Sequence, residues 1–180
     1  MSVSDFQYIS ELVESFFSQA HIQRALNLIY EQEISGWEIW WQIEFANFLS
    51  MHKTEPEWYR EEAIDFDKRM EKGKSFARAD FVIRKKGCKQ DAYIALELKQ
   101  HPVYSNCIRN MMKDIIKFEK LKKSHLEIRS FWVLGVFNRE KKQYVKEFVS
   151  ARLEEADYEF HRSIFLNKFI PNTHYAYCIF

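Results

Sequence analysis

The chain is poor in the residues that break or staple a fold: its 180 residues include four glycines, three prolines and three cysteines. So little glycine and proline excludes a collagen-like, linker-rich or low-complexity chain, and a composition that is 47% apolar and 17% aromatic excludes disorder. Cys88, Cys107 and Cys178 are odd in number, far apart and form no C-x-x-C pair. Neither a disulfide framework nor a zinc ribbon is expected, and a reducing, cytoplasmic setting fits best. Charge of one sign is also missing. With 27 basic and 26 acidic side chains the net charge is +1, so binding to nucleic acid or an anionic membrane must come from a local patch. The longest apolar run, residues 131–137, is far short of the roughly 20 residues of a membrane helix. The first twelve residues carry Asp5 and Glu11 and lack a basic region followed by an apolar run, so no signal peptide is expected.

What the chain does have is enough apolar material for one substantial core. Phe6, Ile9, Val13, Phe16, Phe17, Ala20, Ile22, Leu26 and Ile29 recur at helical spacing, which predicts two helices, or one bent near His21. Ser35 is placed to cap a further helix with a stripe of Trp37, Trp40, Trp41, Glu44, Phe45 and Phe48, so one carboxylate sits within an aromatic face. Short runs bounded by turn residues then predict strands over 63–70, 76–86 and 91–100, with turns at 71–74 and 87–90. Residues 105–123 read as an amphipathic helix with Ile108, Met111, Met112, Ile115, Ile116, Phe118 and Leu121 on one side and lysines on the other.

Residues 131–137 read as a strand covered on both faces, 141–155 as a helix, and 158–165 and 174–180 as edge strands. With no repeat and no linker, the expectation is one α/β domain over 1–180: a central mixed sheet containing an antiparallel meander, flanked by helices. Residues 1–35 would form a helical extension, 37–138 the core, and 139–180 the last helix and edge strands.

The chemistry concentrates in the second hairpin. If residues 87–90 close it, Lys86 faces Asp91, facing pairs keep a constant sum of residue numbers, and Asp80 falls directly opposite Glu97. Alternation puts Glu97 and Lys99 on one face while Ile94, Leu96 and Leu98 point into the core. Facing carboxylates repel, so something positive belongs between them, and a hard divalent cation is the natural candidate, since Mg²⁺ is commonly held by one or two carboxylates. The Leu98 carbonyl lies between the two side chains as a further oxygen ligand. Lys99 is placed to orient or deprotonate a water, or to stabilise a phosphorane-like transition state.

On Ala79-Asp80, Glu97-Leu98-Lys99 and the helical Glu44, in the order helix, three antiparallel strands, helix, strand, residues 37–138 resemble the PD-(D/E)XK nuclease superfamily, whose fold is restriction-endonuclease-like. The proline that usually precedes the first aspartate is replaced by Ala79. The resemblance implies Mg²⁺- or Mn²⁺-dependent cleavage of nucleic acid, DNA ahead of RNA, with Asp80, Glu97 and Glu44 as metal ligands and Lys99 at the nucleophile.

Each residue has an ordinary alternative. Asp80 can pair with Arg78 or Arg84, Glu97 and Lys99 can form a solvated charge ladder, and Glu44 can pair with a surface lysine. Gln100 follows the motif, and Asp114 and Lys117 stand at i and i+3 on the next helix, where a simple ion pair explains them. Basic residues gather at Arg84, Lys85, Lys86 and Lys89, at Lys113, Lys117, Lys120, Lys122 and Lys123, and at Arg139, Lys141 and Lys142, a distribution that suits phosphate contacts. The competing expectation from another class is a protein that keeps the fold without chemistry, as an inhibitor, immunity or adaptor module; the neutral charge and aromatic N-terminal third suit a protein partner. Cutting both strands of a duplex with one site per chain would call for a dimer, and no segment announces an interface.

Overall fold

The computed structural model describes residues 3–65, 76–88, 93–118 and 128–180. Among them, five helices and six strands form an α/β fold around one mixed sheet. The first helices, α1 (Val3–Phe17) and α2 (Ala20–Glu31), break at Ser18 and Gln19, just before His21. The third, α3 (Glu38–Met51), starts beyond Trp37, which holds the N-cap position; no side chain caps the helix, so Ser35 does not play that role.

Three strands follow as an antiparallel meander: β1 (Glu57–Asp65), β2 (Phe76–Arg84) and β3 (Tyr93–Gln100). β1 begins six residues before the expected 63–70, because the charged stretch Glu57 to Glu61 is an outer strand whose polar side chains face solvent, a pattern with weak apolar alternation. The remainder of that expectation, and the turn at 71–74, lie outside the described residues. Then come α4 (Tyr104–Phe118), β4 (Ile128–Asn138), α5 (Lys142–Glu154), a 3-10 turn at Arg162–Ile164, β5 (Leu166–Phe169) and β6 (Tyr175–Ile179). The sheet order is β1-β2-β3-β4-β6-β5, with β3 and β4 parallel and the other pairs antiparallel.

Two expectations near the C-terminus are corrected. Residues 158–165 form no strand, and β6 is not an edge: it lies between β4 and β5 and is buried along its whole length. The outer strand is the short β5, with Asn167 and Lys168 in its middle. No helix among the described residues is long and apolar enough to cross a membrane.

Alternation along the strands builds two cores. Phe81 and Ile83, Ile94, Leu96 and Leu98, and Trp132, Leu134 and Val136 face α1, α2 and α3. Val133, Phe137, Ala176 and Cys178 face α4 and α5. Both faces of β3 and β4 are therefore covered, which is why residues 131–137 are nearly all apolar. Gly135 sets how closely α4 approaches: a Cβ there would lie 2.4 Å from Met111 Sδ and 2.9 Å from Cys107 Sγ. Gly135 pairs with Lys99 across β3 and β4, so this close contact lies beside the candidate site.

Candidate functional site

The β2 and β3 pairing keeps the expected register, with Phe81 opposite Leu96, Val82 opposite Ala95 and Ile83 opposite Ile94. One step further the ladder ends, and two carboxylates take over the backbone hydrogen bonds. Asp80 Oδ2 accepts from the Leu98 N–H at 2.7 Å, and Glu97 Oε2 accepts from the Asp80 N–H at 3.3 Å. Lys86 opposite Asp91 cannot be followed, since 89–92 lie outside the described residues.

Lys99 pairs with Glu97 and lies in the field of Asp80. Its ammonium donates to Glu97 Oε1 at 2.9 Å and to the Leu98 carbonyl at 3.1 Å, and stands 3.1 Å from Asp114 Oδ2 on α4. Two oxygens thus accept a hydrogen bond from the ammonium, while Asp114 and the more distant Asp80 act on it through charge. The Asp114 contact is one of charge alone: its buried Oδ2 has no aligned hydrogen bond among the described residues. Glu97 is 9% exposed, which removes the solvated-ladder alternative. Lys99 and Asp114 are also largely buried. The ion pair at Asp114 runs across elements to Lys99, while Lys117 is exposed on the outer side of α4.

The helix that reaches Asp80 is α3, but not through Glu44. Gln42 Nε2 donates to Asp80 Oδ1 at 2.8 Å, and its Oε1 accepts from Arg60 Nη2 at 3.2 Å. Glu38, one turn earlier on the same flank, lies near the backbone of Gln100 and in the field of Lys99. Glu44 is two residues past Gln42, about 200° round the helix. It faces α2 instead, 3.6 Å from His21 Nε2. The expected third carboxylate is thus corrected: Trp41, Phe45 and Phe48 centre the buried stripe, Glu44 stands on one flank, and Glu38 and Gln42 stand on the other. The sequence signal that could have found them is Gln42 itself, a polar residue at i+4 from Glu38 within an apolar helix, since a buried amide needs a partner.

Burial and mutual repulsion shape the titration of the pair. Burial pushes Asp80 up to about 6 against the opposing pull of the Leu98 N–H and Lys99. Burial and then the Asp80 charge push Glu97 up to about 7, against Lys99. Glu38 is raised as well, mainly by burial. Burial alone would lower Lys99, but Glu97, Asp114 and Asp80 outweigh it and hold its ammonium firmly protonated.

The oxygens this site would offer a divalent ion belong to two carboxylates and one carbonyl. Asp80 and Glu97 meet with their proton affinities raised, chiefly by burial, and Asp114 Oδ2 is a buried acceptor without an aligned donor. Among the described residues no group of three or more His, Cys, Asp or Glu side chains gathers to hold a metal, which restricts the set to two carboxylates and the Leu98 carbonyl, within what Mg²⁺ commonly accepts from protein.

The expected basic clusters are partly spent on the protein itself. Arg84 pairs with Glu57 and Lys86 with Glu55, while Arg139 donates to the Ile170 carbonyl. Lys85, Lys113, Lys117 and Lys141 are exposed, Lys142 is exposed beside Phe169, and Lys89, Lys120, Lys122 and Lys123 lie outside the described residues. No protein-family model matches the chain, and neither curated proteins nor solved structures give a significant match.

Proposed function

We propose that the protein is a Mg²⁺- or Mn²⁺-dependent nuclease of the restriction-endonuclease-like fold, hydrolysing phosphodiester bonds in nucleic acid, with DNA ahead of RNA. One observation carries the reading: two carboxylates face each other at the end of a strand ladder, and one of them pairs with a half-buried lysine two residues along. The helix, meander, helix, strand order with β3 parallel to β4 supports the same reading.

In this reading Asp80, Glu97 and the Leu98 carbonyl hold the ion, which supplies Lewis-acid neutralisation of the phosphate when bound. Lys99 directs an attacking water and offsets charge developing on the phosphoryl oxygens. Asp114 fixes the ammonium from the α4 side. Gln42, braced by Arg60, fixes the Asp80 carboxylate, and Glu38 with Gln100 closes the wall beside Lys99. Glu44 has no part in it.

The reading is tested by incubating the purified protein with supercoiled plasmid, linear duplex, single-stranded DNA and RNA, with Mg²⁺, Mn²⁺ or EDTA. Metal-dependent cleavage that disappears in Asp80→Asn is the expected result. Absence of cleavage in every arm favours the second reading, a nuclease fold retained as a protein-binding inhibitor, immunity or adaptor module. One observation suits that alternative: every carboxylate oxygen of Asp80 and Glu97 already receives an N–H from the protein. The exposed Ile39 and Ile43 on α3 would then belong to its binding face.

A further inference from the structure

Beside the site lies a cleft of about 710 Å³, within the range of pockets that hold small organic ligands. It begins where the site ends. Gln100 and His101, which follow Lys99 along the chain, line it, as does Trp37, next to Glu38. Its aromatic part is a stacked pair, Tyr30 and His174, with ring centroids 4.2 Å apart and planes 14° apart. Both rings are exposed, Tyr30 by 40%. Tyr175 meets Tyr30 edge-on at 5.9 Å and Trp37 at 5.8 Å, so packing fixes the orientation of the platform.

The polar groups of the cleft have a distinct character. Gln100 and Asn138 line it, and among the described residues neither spends its side-chain amide on a protein partner. Glu31 and Glu33 stand exposed at its rim, so the cleft repels phosphate while offering acceptors to amino groups. A stacking surface, two unspent amides and carboxylates that disfavour anions together match the face and edge of a nucleobase.

We propose that this cleft binds an unpaired nucleobase adjacent to the phosphate handled at Asp80, Glu97 and Lys99, so that the substrate is single-stranded or carries a base turned out of its stack. The proposal rests on the nuclease reading for the position of that phosphate, but not for the binding itself. A paired base keeps its hydrogen-bonding edge and both faces occupied, whereas an unpaired one can leave the strand and stack on protein aromatics.

The test uses the wild-type protein in EDTA, where no cleavage can occur, with short single-stranded DNA and RNA carrying one 2-aminopurine, and with the matched duplexes. Stacking on the protein should change the probe's fluorescence for the single strands and not for the duplexes. Tyr30→Ala and His174→Ala should each weaken single-strand binding by about tenfold or more, and Asn138→Leu should alter preference among bases placed at the probe position. The DNA and RNA arms identify which sugar is accepted.

No probe response, or a response equal for duplex and unaffected by both aromatic variants, overturns the cleft, whether or not the protein cleaves. A single-strand response that the variants remove, in a protein that cleaves nothing with metal restored, upholds the cleft as a binding site while the nuclease reading fails.

Discussion

In the proposed nuclease reading, the chemistry and the stability of the site both depend on the Lys99 ammonium. Its two acceptors, Glu97 and the Leu98 carbonyl, come from its own strand, and α4 and the opposing strand add the charges of Asp114 and Asp80. Removing it leaves Glu97 buried without its cation, a loss of roughly 3 kcal/mol for a broken buried pair. Lys99→Ala is therefore expected to lower the melting temperature clearly at pH 7. Pairing it with Glu97→Gln should recover most of the loss, as a double-mutant cycle in calorimetry would measure.

The carboxylates give a second residue-level prediction. An acid held above its unfolded pKa binds its proton more tightly when folded. Its contribution to stability is complete below the unfolded value and is lost as pH rises through the folded one. For Asp80, from 3.8 to about 6, and Glu97, from 4.5 to about 7, that window runs between pH 4 and 7. Wild type should thus lose roughly 2 kcal/mol relative to Asp80→Asn on going from pH 4 to pH 8. Mg²⁺ at pH 8 should return part of it to wild type alone. Parallel pH profiles for the two proteins would show that the carboxylates are not strained.

At the scale of elements, the site depends on how α3 and α4 meet the sheet. Because Gln42 and Glu38 share the flank facing Asp80 and Gln100 while Glu44 faces α2, Gln42→Ala and Glu38→Ala should lower cleavage at least tenfold, and Glu44→Ala should leave it within twofold, as single-turnover rates would report. An equal loss at Glu44 would contradict the assigned flank. On the other layer, Gly135→Ala drives a Cβ into Met111 Sδ and pushes α4 outward. A loss of about 1–3 kcal/mol is expected, with cleavage falling as Asp114 withdraws from Lys99, and Met111→Ala in the same chain should restore part of both.

The hairpin register was legible because a turn and strict alternation fix it, and Asp80 meeting Glu97 follows from counting. The phase of α3 was not. Aromatics surround much of that helix, so a shift of one flank costs little in apolar pattern, and only the partners of Gln42 and Glu44 decide it. β1 was displaced for a similar reason, since its exposed charges hide the alternation. The inner place of β6 depends on the sheet order, which local pattern does not encode. Asp114 was visible as a polar residue on an amphipathic helix, but its partner across the layer was not.

At the scale of the molecule, a neutral chain carries its polar chemistry where the two helical layers approach one end of the β2 and β3 ladder. Each layer contributes: α3 from the side of the aromatic core and α4 from the side of Cys107, Met111 and Val133. The cleft with Tyr30 and His174 extends this region along the ends of β3 and β4. With a net charge of +1, long-range attraction to nucleic acid is weak. In the proposed reading, recognition of nucleic acid therefore comes from contacts at the site itself. The measurement that tests this account most directly is the single-turnover cleavage rate of Lys99→Gln against wild type on the best nucleic-acid substrate in Mg²⁺, with the fold of both checked by circular dichroism. A folded Lys99→Gln that still gains thermal stability from Mg²⁺ but cleaves about 10²- to 10⁴-fold more slowly is the predicted result; equal rates for the two folded proteins would contradict it.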